Sequence, residues 1–148
     1  MKPMKLLAKN RRATFDYAIT ERLVAGIALT GSEVKSLKAG HASLKGSFIA
    51  LRDNEAYLNN SHISPYIHAG HTNLDPTRAR KLLLHRKQIN ELIASKQSGL
   101  SVVPTAFLLA GSLVKIEIGI GPGKKRYDKR EAIKQRDTER ETRRQLKR

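Results

Sequence analysis

Twelve of the chain's 29 Lys and Arg residues fall in its last twenty-six positions, Gly123 to Arg148, where the apolar side chains are Ala132, Ile133 and Leu146, with Tyr127 near the start. Fixing each backbone residue costs roughly 1–2 kcal/mol, and so few apolar groups cannot offset that by burial. Residues 123–148 are therefore expected to form a basic tail, disordered when free, and the fold must be built by residues 1–122. From Asp128 onward the tail holds good helix formers with opposite charges three and four apart, so it should become helical once something neutralises it. A nucleic-acid backbone does this most directly, through counterion release. A solvated basic tail is the alternative.

Without the tail the 148-residue chain retains enough length for one hydrophobic core. Its formal charge is +16, and basic residues recur through the body, which points to RNA or DNA before acidic proteins. No apolar run approaches the ~18–20 residues of a spanning helix. The basic start at Met1-Lys2 breaks off at Lys9, short of a signal-peptide apolar region, so a cytoplasmic location is expected. The absence of cysteine excludes disulfides and the common zinc-finger ligand sets.

Phe15 to Leu29 has residue types suited to a strand. Thr30-Gly31-Ser32-Glu33 fits a capping box, and Val34 with Leu37 gives an apolar stripe before Gly40, which predicts a short helix. Residues 47–52 and 55–59 flank Asp53-Asn54 and read as a β-hairpin. Asp75-Pro76 is expected to open the longest helix of the body, with Leu83, Leu84, Ile89, Leu92 and Ile93 at helical spacing up to Gly99. Leu100–Leu109 and Leu113–Ile118 read as strands around Ala110-Gly111-Ser112, with Lys115 and Glu117 on the outer face. The pattern predicts a mainly β fold with flanking helices: a small closed antiparallel barrel of the oligonucleotide-binding type.

Gly119 to Lys125 looks like a phosphate loop but lacks the Walker spacing, with Ile118 and Lys125 where Gly and Ser or Thr belong. It reads as a flexible hinge. His68 and His71 form one pair without further ligands, and His62 and His85 lack a nucleophile in a hydrolase motif. The acidic residues are scattered, so no catalysis, no metal and no cofactor are expected, and a nuclease stays only as a distant third reading. The binding candidates are Asn10, Arg11 and Arg12, then Arg78, Arg80, Lys81 and Arg86. Solvated surface is the alternative for any one of them. Tyr127, an aromatic among charges, is a stacking candidate.

The blocks Asn10–Ala13, Gly26–Leu37, His62–Tyr66, Asp75–His85 and Gly123–Arg130 together closely resemble the small protein B family, the SsrA-binding proteins of bacterial trans-translation. The resemblance implies a body that holds the tRNA-like part of transfer-messenger RNA, and a tail that becomes helical in the empty mRNA path of a stalled small ribosomal subunit. It also implies elongation factor Tu as a partner on the delivered RNA. Carried over by position, the RNA-facing set is Asn10, Lys35, Arg80, Lys81, Leu83, His85 and Lys115, with Lys124 and Lys125 at the barrel exit, and Arg11 and Arg12 join it from the reading of the basic residues above. Tyr127, Asp128, Lys129 and Arg130 would meet the decoding centre. Val24 stands where members often carry Glu, and nothing is carried over for residues 67–73. A constitutive ribosomal-RNA-binding protein is the other reading.

Overall fold

The computed structural model describes residues 4–65, 75–124, 130 and 133–141. Tyr66, His68, His71, Lys125, Tyr127, Asp128 and Lys129, singled out above, lie outside them. The elements run β1 (Lys5–Lys9), α1 (Arg11–Asp16), β2 (Glu21–Ile27), α2 (Gly31–Lys38), β3 (Ala42–Ser43), β4 (Phe48–Arg52), β5 (Glu55–Asn59), β6 (His62–Ile63), β7 (Arg80–Leu83), α3 (Arg86–Gln97), β8 (Ser101–Ala110) and β9 (Leu113–Gly121). Seven strands form one antiparallel sheet in the order β1-β8-β9-β2-β7-β5-β4, and β3 pairs with β6 in a separate ribbon.

The sheet curls far enough for β4 to lie near β8, yet no ladder joins them and the expected barrel is not closed. The edge strand β1 meets α2 and β3 instead of β4. Inside the curl, Leu58, Leu82, Phe107, Ile116 and Ile118 are fully buried, joined by Leu37 from α2 and Leu92 from α3.

Local signals that need only neighbouring residues are realised. Thr30 caps α2, its hydroxyl accepting from the Glu33 N–H while the Glu33 carboxylate accepts from the Thr30 N–H. Asp53 and Asn54 both adopt positive φ, 52° and 58°, as a two-residue hairpin turn requires.

Three expectations are corrected. The run from Phe15 does not begin a strand, because Asn10 caps α1 and anchors it to β8: its Oδ1 accepts from the Ala13 N–H and its Nδ2 donates 2.8 Å to the Pro104 carbonyl. β1, unread in the sequence, pairs with the same strand β8. Asp75-Pro76 opens a turn, where Asp75 Oδ1 accepts from the Thr77 N–H. The helix starts only at Arg86, since residues 80–83 alternate buried and exposed and pair with both β2 and β5. Gly119 and Gly121 belong to β9 rather than to a hinge. A Cβ on Gly121 would lie 2.0 Å from the Ala18 carbonyl oxygen, so only glycine admits that backbone. In the tail, residues 130 and 133–141 are helical.

Candidate nucleic-acid interface

Residues opposite one another in antiparallel strands share a face of the sheet. Gly26 on β2 stands opposite Lys115 on β9 and opposite Leu83 on β7, so these three form one row across the outer surface. Two residues along each strand, Val24 and Lys81 lie on the same face. His85 and Gln88, at the start of α3, complete a groove with them. With no side chain at Gly26, Leu83 leans over its backbone, since a Cβ built there would fall 3.1 Å from Leu83 Cβ.

The floor of this groove is apolar and open: Leu83 is 57% exposed and Val24 37%. Its rim is cationic, with Lys81 on one side and Lys115 on the other. Lys81 Nζ is 3.7 Å from Glu55 Oε2, and both side chains are substantially exposed. Such a pair is worth ~0–1 kcal/mol, so Lys81 remains available to a phosphate. An apolar shelf between two ammonium groups can take a ribose or base face while the cations bind backbone phosphates.

Arg80, expected beside these residues, points the other way. It is fully buried on the core face with Leu82. Its Nε donates to Glu33 Oε2 at 2.8 Å, its Nη1 to the Ser61 hydroxyl and carbonyl and to the Arg78 carbonyl, and its Nη2 to the Pro76 carbonyl. Arg78 binds the other Glu33 oxygen. Burial pushes the Glu33 carboxyl upward, but hydrogen bonds from Arg78, the Thr30 N–H and Arg80 outweigh it and hold the group below its ordinary value. Burial likewise pulls the Arg80 guanidinium down, against Glu33. The cluster is an ion pair that ties β7, and with it Lys81 and Leu83, to α2 and to the turn at Pro76. Asn10 too is buried in capping α1 and has no surface to offer RNA.

The remaining candidates are elsewhere. Lys35 lies on the exposed side of α2. Arg12 pairs with Asp16 at 2.9 Å and lies over the Phe15 ring. Arg11 and Lys124 line a separate cleft. Arg130 is exposed. Sequence reading missed Gly26, Glu55 and Gln88 as groove residues. Period-two alternation over residues 80–83 was the signal that would have separated Lys81 and Leu83 from Arg80.

A family model described as SmpB protein matches residues 7–148. The SsrA-binding protein of Oleidesulfovibrio alaskensis is 50% identical over 142 residues, covering 95% of this chain and 92% of its own. That of Synechococcus sp. strain JA-2-3B'a(2-13) is 51% identical over 146 residues, covering 97% and 95%. Among solved structures, a chain from "tmRNA-SmpB: a journey to the center of the bacterial ribosome" is 43% identical, with a TM-score of 0.67 over 84% of this chain and 92% of that one. With matches that run along nearly its whole length, the chain belongs to the SmpB protein family.

Proposed function

We propose that this chain binds transfer-messenger RNA through its outer groove and delivers it to stalled ribosomes for trans-translation, peptide tagging and ribosome rescue. The observation that carries the reading is the row Lys115–Gly26–Leu83 flanked by Lys81 and His85. It is a cationic rim around an apolar shelf, in a chain similar to SsrA-binding proteins along almost all its length. The tRNA-like part of the RNA is the proposed ligand of the groove. The curled antiparallel sheet supports an architecture of the oligonucleotide-binding type, which presents RNA-binding groups on one face.

In the same reading the body, residues 1–122, carries RNA affinity and the tail, 123–148, carries ribosome function. Tyr127 stacks on a base of the decoding centre, with Asp128, Lys129 and Arg130 forming a turn of helix in the mRNA channel. Elongation factor Tu joins on the delivered RNA, and the site of action is the cytoplasm. The protein's part is binding and placement, without a covalent step.

The test is to sequence the RNA that co-purifies with the full chain, and to measure binding of the isolated tRNA-like domain against unrelated duplexes across a salt series. Enrichment of transfer-messenger RNA and tight binding of its tRNA-like domain are expected. Stable co-sedimentation with vacant ribosomes at high salt, without preference for that domain, would instead make the chain a constitutive ribosomal-RNA binder.

A further inference from the structure

Sharing no lining residue with the groove just described, a second cleft of about 700 Å³ lies where α1 and Lys124 meet the tail helix, residues 133–141. Five cations line it: Lys9 and Arg11 from the body, Lys124 at the end of the sheet, and Arg136 with Arg140 from the tail helix. Glu139 is the single carboxylate among its lining residues. The two sides touch at Phe15, whose half-buried ring lies under Arg12, 5.5 Å from the ring centre, and under Arg136, 5.3 Å from it.

This arrangement contains its own opposition. The contact at Phe15 draws the tail helix to α1, while Arg136 and Arg140 face Lys9, Arg11 and Lys124 across the cleft and are repelled by them. Along 133–141 as a whole Asp137, Glu139 and Glu141 balance the cations, so the opposition is confined to the cleft. Every residue of 133–141 is exposed, so no apolar burial holds the helix in place. A polyanion in the cleft removes the repulsion and is itself gripped from both sides, with counterion release adding to the gain.

We infer that the tail helix and α1, seen here closed on Phe15, form a clamp for an RNA sugar-phosphate backbone, and that RNA in the cleft raises the closed fraction. The five basic side chains come from two separate parts of the chain, so the site is complete only in the closed state. Its ligand is a stretch of duplex backbone read by charge and spacing, without base identity, and it is distinct from whatever fills the Lys81–Leu83–Lys115 groove. A closed clamp also gives the tail a defined place on the body before the tail takes up any other partner.

The chain has no cysteine, so a single spin label can be placed at Glu141→Cys in the otherwise intact full-length protein. Paramagnetic broadening of the α1 amide resonances then reports closure. Adding a short RNA duplex of unrelated sequence should strengthen this broadening several-fold, and raising the salt should reverse the gain. Phe15→Leu and Arg136→Gln should each lower the closed fraction roughly two- to fivefold. Arg136→Gln should also reduce the salt slope of duplex binding by about 0.9. Arg136 is exposed, so that variant leaves the body fold intact even if Phe15→Leu disturbs α1. Lys81→Ala should weaken binding of the tRNA-like domain while duplex-driven broadening persists, which separates failure of the groove assignment from failure of the clamp. The clamp is overturned if broadening is equally strong without RNA, if it is absent with RNA, or if both variants leave it unchanged. An equal response to inorganic tripolyphosphate would overturn the assignment to a duplex backbone.

Discussion

Arg80 Nε donates to Glu33 Oε2 across 2.8 Å, with no exposed surface on the arginine side chain and 7% on the glutamate. A positive charge inside a β core joins β7 to α2, the helix that follows the neighbouring strand of the sheet, β2. Because β7 also carries Lys81 and Leu83 on its opposite face, the buried pair determines how far the groove's rim and floor stand from α2.

Removing Arg80 leaves the buried Glu33 with Arg78 and the Thr30 N–H as partners, and takes the donor from the Ser61, Arg78 and Pro76 carbonyls. Arg80→Met should destabilise the protein by about 3–5 kcal/mol, measured as a lowered denaturant midpoint. At a temperature where the variant remains folded, the salt slope of RNA binding should equal that of the parent, because Arg80 makes no phosphate contact. A slope reduced by one contact would show that it does.

The Glu33 carboxyl titrates below its ordinary value of 4.5 in the folded protein. Its contribution to stability is complete above that value and is lost as pH falls through the depressed folded value, since the unfolded chain binds the proton first. Unfolding followed by circular dichroism should therefore show an acid-side decline beginning below about pH 4.5. Glu33→Gln should remove part of that decline and be less stable at neutral pH.

Lys81→Ala and Lys115→Ala should each weaken binding of the tRNA-like domain and flatten the log–log salt slope by about 0.7–0.9. Leu83→Ser should weaken binding with the slope retained, because it supplies a surface and no charge. Salt titrations of the three variants distinguish the roles. Unchanged slopes for both lysines would return them to ordinary solvated surface.

Gly121→Ala should destabilise by about 1–3 kcal/mol, as overpacking does, because the new Cβ meets the Ala18 carbonyl oxygen and not a movable side chain. Gly123→Ala, where nothing lies within 4 Å of a built Cβ, should be near neutral. Thermal unfolding of the two variants makes the comparison.

Shortening the chain tests the division between body and tail. The Lys124 N–H donates 2.8 Å to the Asp16 carbonyl, and Gly123 bridges Tyr17, so the last ties of the body extend past residue 122. A chain ending at Lys124 should stay folded and bind the tRNA-like domain, yet fail to support peptide tagging on stalled ribosomes. Retained tagging would mean that the tail is dispensable.

The sequence by itself determined what depends on neighbours and on totals. The Asp53-Asn54 turn and the Thr30–Glu33 cap were legible because each needs only a few adjacent dihedrals and one or two local hydrogen bonds. The basic surface was legible because net charge is a sum that folding does not alter. Leu83, His85 and Lys115 were named from the resemblance, and Lys81 also from the basic residues around it, but nothing local could say that they share a groove. Only tertiary structure decided that residues 80–83 pair between β2 and β5, which converts an apparent helix start into a strand and turns Arg80 inward while Lys81 faces out. Likewise α1 is anchored through Asn10 to Pro104, ninety-four residues away. Strand pairing, and hence the face on which each side chain emerges, is settled by partners distant in the chain, and a one-residue change in phase reverses it.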